Sequence, residues 1–280
     1  MLRNTFCHVP GIGPKTESLL WHAGVLDWDA ALRQPAIPLS AAKTASLHRV
    51  IRESGDRLQN DDARYFCGHL PSHQVWRLFP EFRHSAAYVD IETTGLGGPS
   101  DYITTIALYD GQSIHTYVQG QNLTDFGRDI GQYQLLITYN GKGFDVPFIR
   151  NDLGIEMPHA HIDLRYVLAS LGYRGGLKKC ERTLGIDRGD LVDVDGYFAV
   201  LLWRNYRTGS NPRALDTLLA YNVLDVVNLE TLMILAYNYK LEGTPFEESH
   251  PLPMPAQPEN PFRADMETVY RLKLAYTYHW

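Results

Sequence analysis

Four carboxylates and one phenol in this 280-residue chain stand in patterns suited to metal chemistry. Asp90 and Glu92 lie two apart in Ala86-Ala87-Tyr88-Val89-Asp90-Ile91-Glu92-Thr93-Thr94-Gly95-Leu96, an apolar run of strand formers that ends in a turn. On a strand they share one face, ~6.6 Å apart along the backbone. Two such acids, stripped of hydration, repel by ~4 kcal/mol at about 4 Å and intermediate dielectric. A hard divalent cation relieves that repulsion by taking both as oxygen ligands. An isolated Asp-x-Glu is more often a solvated strand end, so further acids are needed.

Two other segments supply them. Thr138-Tyr139-Asn140-Gly141-Lys142-Gly143-Phe144-Asp145 follows a short apolar run and opens a helix, where an Asp can also serve only as a cap. In Ala220-Tyr221-Asn222-Val223-Leu224-Asp225-Val226-Val227, Tyr221 and Asp225 share a helix face. Asp225 sits among apolar neighbours, where an unpaired carboxylate is expensive.

The elements that must position these residues are legible in outline. Ile103 to Tyr109 and Ser113 to Val118 read as strands joined by Asp110-Gly111, a strong hairpin signal. A polar helix is predicted near 122–131, a strand at Leu135 to Thr138, a helix from Phe144 to about Leu153 and a strand over His161 to Leu164. From there to about 240 the pattern is mostly helical, and the apolar positions from Leu215 to Leu232 suggest a long buried helix pair. An α/β domain with a mixed five-stranded sheet follows.

Before it, Leu32 to Leu58 reads as helical, and Pro10-Gly11-Ile12-Gly13 opens a helix that carries Lys15. The Pro-Gly-Ile-Gly core resembles the hairpin of a helix-hairpin-helix motif, which either holds a phosphate through Gly11, Gly13 and Lys15 or only starts the helix. Trp76 reads as an anchor between appendage and main domain. Six prolines between 245 and 261 predict an extended tail rather than a packed element, with an aromatic-rich end from Phe262 to Trp280 that can dock back. The expected division is 1–83, 84–241 and 242–280.

Charge is uneven: residues 1–83 carry 10 Lys/Arg and 8 Asp/Glu, the remainder 16 and 24, for a total of −6. The acidic second part disfavours electrostatic coating of nucleic acid and suits carboxylates gathered around cations. Three scattered cysteines point to a reducing cytoplasm rather than a disulfide framework. No uninterrupted apolar run spans a bilayer, so no membrane partner is expected.

Together, Asp90/Glu92, Asn140 with Phe144/Asp145, and Tyr221/Asp225 resemble, over residues 85–240, the DEDDy 3′–5′ exonucleases of the ribonuclease H-like superfamily. The resemblance is nearest a microbial branch of ribonuclease H-like exonucleases in which a Pro-Gly-Ile-Gly segment also precedes the nuclease domain. The Asn140–Phe144 spacing is one residue longer than the tightest family form.

The resemblance implies a ribonuclease H-like mixed sheet flanked by helices, and a nucleic-acid substrate engaged at a single-stranded or 3′ end. It also implies two divalent cations, Mg²⁺ or Mn²⁺, held by Asp90, Glu92, Asp145 and Asp225. Asp90 would bridge both ions, Asp145 would reach the second through water, and Tyr221 would position the attacking water. Thr93, Leu96, Asn140 and Phe144 match positions that contact the terminal nucleotide, with Leu96 as a wedge. Asp163 is a candidate supporting acid; Lys142, Lys178, Lys179 and Arg182 are candidate phosphate contacts. His159 and His161 read as ordinary polar positions. Two other readings remain open: a structure-specific endonuclease on the same site, and a binding module without catalysis.

Overall fold

In the computed structural model, which describes residues 1–277, the acid-bearing run is the middle strand of a five-stranded sheet. The strands are β1 (Ala86–Thr93), β2 (Ile103–Tyr109), β3 (Ile114–Val118), β4 (Leu135–Thr138) and β5 (Ala160–Asp163), in the order β3-β2-β1-β4-β5. β1 runs antiparallel to β2 and parallel to β4; β4 and β5 are parallel. The predicted fifth strand therefore starts at Ala160, and Leu164 already belongs to the next helix, which Asp163 caps. A strand covered on both faces reads as a continuous apolar run, which is why β1 shows so little alternation.

The helices are α1 (Pro14–His22), α2 (Trp28–Arg33), α3 (Ala41–Gln59), α4 (Ala63–His69), α5 (Phe79–Phe82), α6 (Phe126–Ile130), α7 (Asp145–Leu153), α8 (Leu164–Ser170), α9 (Leu177–Thr183), α10 (Gly196–Gly209), α11 (Pro212–Leu241) and α12 (Met266–Thr277). They divide between the sheet faces according to the strand period. Ala87, Val89 and Ile91 pack with Phe126 and Ile149 from α6 and α7. Ala86 and Tyr88 pack on the other face with Val226, Leu229 and Met233 of α11. Asp90 and Glu92 continue that second row, so the pleat aims both acids toward α11. At the end of the row the β1–β2 register shifts between Glu92 and Thr93, a bulge of the kind that re-aims side chains beside functional sites.

Residues 215–232, expected as a helix pair, form one helix. Pro212 sits in the first turn of α11 and Asn211 caps it by accepting from the Arg213 N–H, so it starts cleanly and nothing breaks it for 30 residues. By length and composition α11 is apolar enough to cross a membrane, but 89% of its most apolar window is buried in the protein, because it is covered by the sheet and α10. The helical stretch expected over 32–58 is interrupted at Pro35 and Pro38, which separate α2 from α3.

The N-terminal segment shares the main core, since Leu2, Phe6, Leu20, Trp28 and Phe66 belong to the same apolar cluster as Tyr88 and Ile137. Arg77 and Glu17 form a buried ion pair at 2.8 Å. The Glu17 carboxylate also accepts from the Thr5 hydroxyl and the Phe6 and Cys7 N–H groups, while Arg77 lies between the Trp21 and Trp76 rings. Trp76 meets Tyr237 of α11 at 5.6 Å. Against expectation the proline-rich segment is laid down on α11: Gln257 donates to Asn228, and Asn260 donates to the Ala220 carbonyl. Proline removes backbone donors, so side-chain amides make these attachments. α12 follows, with Val269 buried beside Leu218. Residues 278–280 of the aromatic end lie outside the described residues.

Candidate active site

Three of the four expected acids converge. Asp90 and Glu92 from β1 and Asp225 from α11 each offer an oxygen, and these oxygens lie within 4.8 Å of one another. Glu92 and Asp225 are buried and Asp90 is half-buried. They line a groove of about 590 Å³ with Thr93, Leu96, Asn140, Phe144, Asp145 and Tyr221. Asp145 shares the groove but is not in the tight cluster: its Oδ1 accepts from the Ile91 N–H at 3.3 Å, which ties the start of α7 to β1.

Burial first, then the neighbouring Asp225 and Asp145, push the Asp90 and Glu92 carboxyls well above the usual carboxylate range. The Asp145 carboxyl is pushed up to about 7, mainly by burial. An all-oxygen donor set of clustered, half-buried to buried carboxylates that repel one another fits a hard divalent cation, which would supply the missing positive charge.

Asn222 and Arg188 hold the cluster together, and neither was singled out from the sequence. Asn222, one residue beyond Tyr221, is fully buried and donates from Nδ2 to Asp90 Oδ2 at 2.7 Å and to the Asp90 carbonyl at 3.3 Å; its own oxygen accepts from Thr105 at 3.0 Å. An amide inside an apolar helix was the available signal. Arg188, from the loop after α9, donates through Nη2 to Asp225 Oδ1 and through Nη1 to both Glu181 oxygens, at 2.8 and 2.7 Å. Glu181 also accepts from Asn228. In Ile186-Asp187-Arg188-Gly189 an arginine looks solvent-bound, so the pairing had no sequence signature.

Tyr221 is buried, with Lys178 Nζ 4.7 Å and Arg188 Cζ 5.3 Å from its ring centroid. Burial, followed by Asp225, raises its phenol well above the ordinary value, so it stays protonated. The Lys178 ammonium is buried and without a hydrogen-bond partner among the described residues. Burial lowers its pKa, against the pull of Asp225.

The Asn140 loop is fixed by its own backbone geometry and by Asp163. Asn140 takes a left-handed φ of +66°, which asparagine tolerates. A Cβ on Gly141 would lie 2.3 Å from Thr138 Oγ1, so only glycine fits there. Asp163 accepts the Asn140 and Lys142 N–H groups at 2.8 and 3.0 Å, which makes it the acid that shapes this loop. Leu96 stands 94% exposed at the groove's edge, and Thr93 donates to the Gly95 carbonyl. Lys142 faces a different cavity, with His73 and Tyr166. Gly11, Gly13 and Lys15 are exposed around the start of α1 and do not line the acid groove. The structure thus separates those four from the acids. His161 pairs with Thr138 and His159 with the Ile130 carbonyl.

The chain is 30% identical over 178 residues to the Bacillus subtilis (strain 168) protein YprB; the match covers 54% of this chain and 42% of that relative. Among solved structures, it is similar to the family B DNA polymerase of Pyrobaculum calidifontis (18% identity, 58% of this chain and 26% of that one, TM-score 0.42). It is also similar to Brucella melitensis NrnC bound to pGG (17% identity, 61% and 91%, TM-score 0.30). The model of the RNase H superfamily matches residues 87–237, more than half of the chain, from within β1 to within α11 and including all four acids. The chain belongs to the RNase H superfamily.

Proposed function

We propose that this protein is a two-metal-ion 3′–5′ exonuclease that hydrolyses DNA or RNA and releases nucleoside 5′-monophosphates. The observation that carries the reading is the convergence of Asp90, Glu92 and Asp225 oxygens within 4.8 Å in a groove that also holds Tyr221. In this reading Asp90, Glu92 and Asp225 would hold the ions, and Asp145, in the same groove, would serve the second of them. Two Mg²⁺ or Mn²⁺ ions, when bound, activate water and stabilise the attacking and leaving oxygens of an in-line displacement.

The chain's own residues do the rest. Tyr221, kept protonated, orients the attacking water by hydrogen bonding rather than by taking its proton. Lys178, its ammonium buried over the Tyr221 ring, adds fixed positive charge behind Glu92 and Asp225. Thr93, Asn140 and Phe144 hold the terminal nucleotide, and exposed Leu96 wedges beneath its base.

The test is hydrolysis of 5′-labelled single-stranded DNA and RNA in Mn²⁺. The reading expects a ladder shortening from the 3′ end, absent in Asp90→Asn and in chelator. A discrete internal product would replace it with an endonuclease, and binding without cleavage would replace it with a binding module.

A further inference from the structure

A second groove of about 590 Å³ adjoins the acid-lined one and shares Tyr139, Asn140 and Leu177 as a common wall. Its remaining lining includes Arg165, Tyr173 and Arg174, and no carboxylate. That is unusual in a chain whose residues 84–280 carry an excess of eight acids, 24 against 16 Lys/Arg. Arg165 donates to the Asn140 side-chain oxygen, so one cation is fixed on the shared wall. Arg174 is exposed and has no acidic partner among the described residues. The Tyr139 hydroxyl donates to the Gly175 carbonyl and pins the loop that presents Arg174. Tyr173 is stacked on Tyr239, with centroids 6.2 Å apart, which fixes its ring.

We propose that this groove is the subsite for the strand leading up to the scissile bond: a single-stranded polynucleotide, with backbone phosphates on Arg174 and Arg165 and a base against Tyr173. Guanidinium groups recognise phosphate by paired hydrogen bonds, and an ordered aromatic ring stacks any base without sequence preference. Because the grooves share Asn140, a strand whose last two nucleotides fill the first groove continues into the second. The inference deepens the proposed function and rests on it for the placement of the 3′ end.

The test is fluorescence anisotropy with full-length protein and 5′-fluorescein dT10, dT2 and rU10, with Ca²⁺ replacing Mn²⁺. Arg174→Ala is expected to weaken dT10 binding about tenfold and to reduce the log–log salt slope by ~0.7, the loss of one single-strand phosphate contact. Arg174→Glu weakens it further, whereas dT2, too short to reach the second groove, changes by less than about twofold. An unchanged melting temperature confirms that both variants fold. The rU10 arm shows whether DNA or RNA is held better there.

Binding of dT10 that is indifferent to both Arg174 variants overturns the subsite. If mononucleotides are nevertheless released in Mn²⁺, the exonuclease reading survives that failure. Arg174-dependent binding without mononucleotide release leaves the subsite standing and removes the exonuclease. No binding of any probe overturns both.

Discussion

Arg188 and Asp225 form a buried ion pair, and the same guanidinium grips Glu181 through its other nitrogen. One resident cation therefore sits between two buried carboxylates, leaving Asp225 Oδ2 as the oxygen not taken by Arg188. Removing one member of a buried pair strands the other, at about 3–5 kcal/mol. Arg188→Met is expected to lower unfolding free energy by roughly that amount in denaturant titrations. Arg188→Lys keeps the charge but not the fork, and should restore only part of it. Full stability in Arg188→Met would show that the pair holds nothing.

Asn222 orients Asp90, the acid at the centre of β1. Partners that orient ligands commonly matter 10–100-fold in metal affinity, so Asn222→Leu should weaken Mn²⁺ binding by about that range. Asn222→Asp adds a fourth negative charge beside Asp90 and should destabilise the metal-free protein further. Calorimetric titration of Mn²⁺ with unfolding curves in chelator separates the two effects.

The N-terminal helices depend on Glu17, whose carboxylate gathers Arg77, Thr5 and two backbone N–H groups. Arg77→Met should cost about 3–5 kcal/mol of stability, read by chemical denaturation. A loss below about 1 kcal/mol would mean that solvent already screens the pair.

His8 gives a pH signature. It is buried between Trp28 and Phe66, accepts or donates one bond with Ser54, and burial lowers its pKa to about 3. A lowered histidine favours the neutral form, so its contribution is intact above about pH 6.5 and drains as pH falls toward 3. At pH 5 the expected loss is about 2 kcal/mol, from ~1.36 kcal/mol per unit. Comparing the pH slope of His8→Gln with wild type isolates this term, and identical slopes would contradict it. Asp145, raised to about 7, acts in the opposite sense, losing stability as pH rises, and is unaffected by the His8 change.

The sheet was legible in the sequence because strand period and turn chemistry agree there: β2 and β4 begin and end where the apolar runs do. The clustered acids Asp90, Glu92 and Asp225 were legible because carboxylates in apolar runs are conspicuous. What sequence could not carry were partnerships across the fold. Arg188 stands 37 residues from Asp225, in a loop whose composition says solvent. The tail misled because prolines signal extension, whereas Asn260 and Gln257 use side chains to dock it. The helix pair over 215–232 misled because apolar periodicity alone does not reveal where a helix turns back; only the Asn211-Pro212 start does.

The account stands on the acid cluster holding divalent cations, and electron paramagnetic resonance with Mn²⁺ titrated into the full-length protein tests that most directly. Two bound Mn²⁺ per chain, with spin coupling between them and lost in Asp90→Asn while the melting temperature in chelator is kept, is the result predicted. Wild type that binds no Mn²⁺, or binds it equally well without the Asp90 carboxylate, would contradict it.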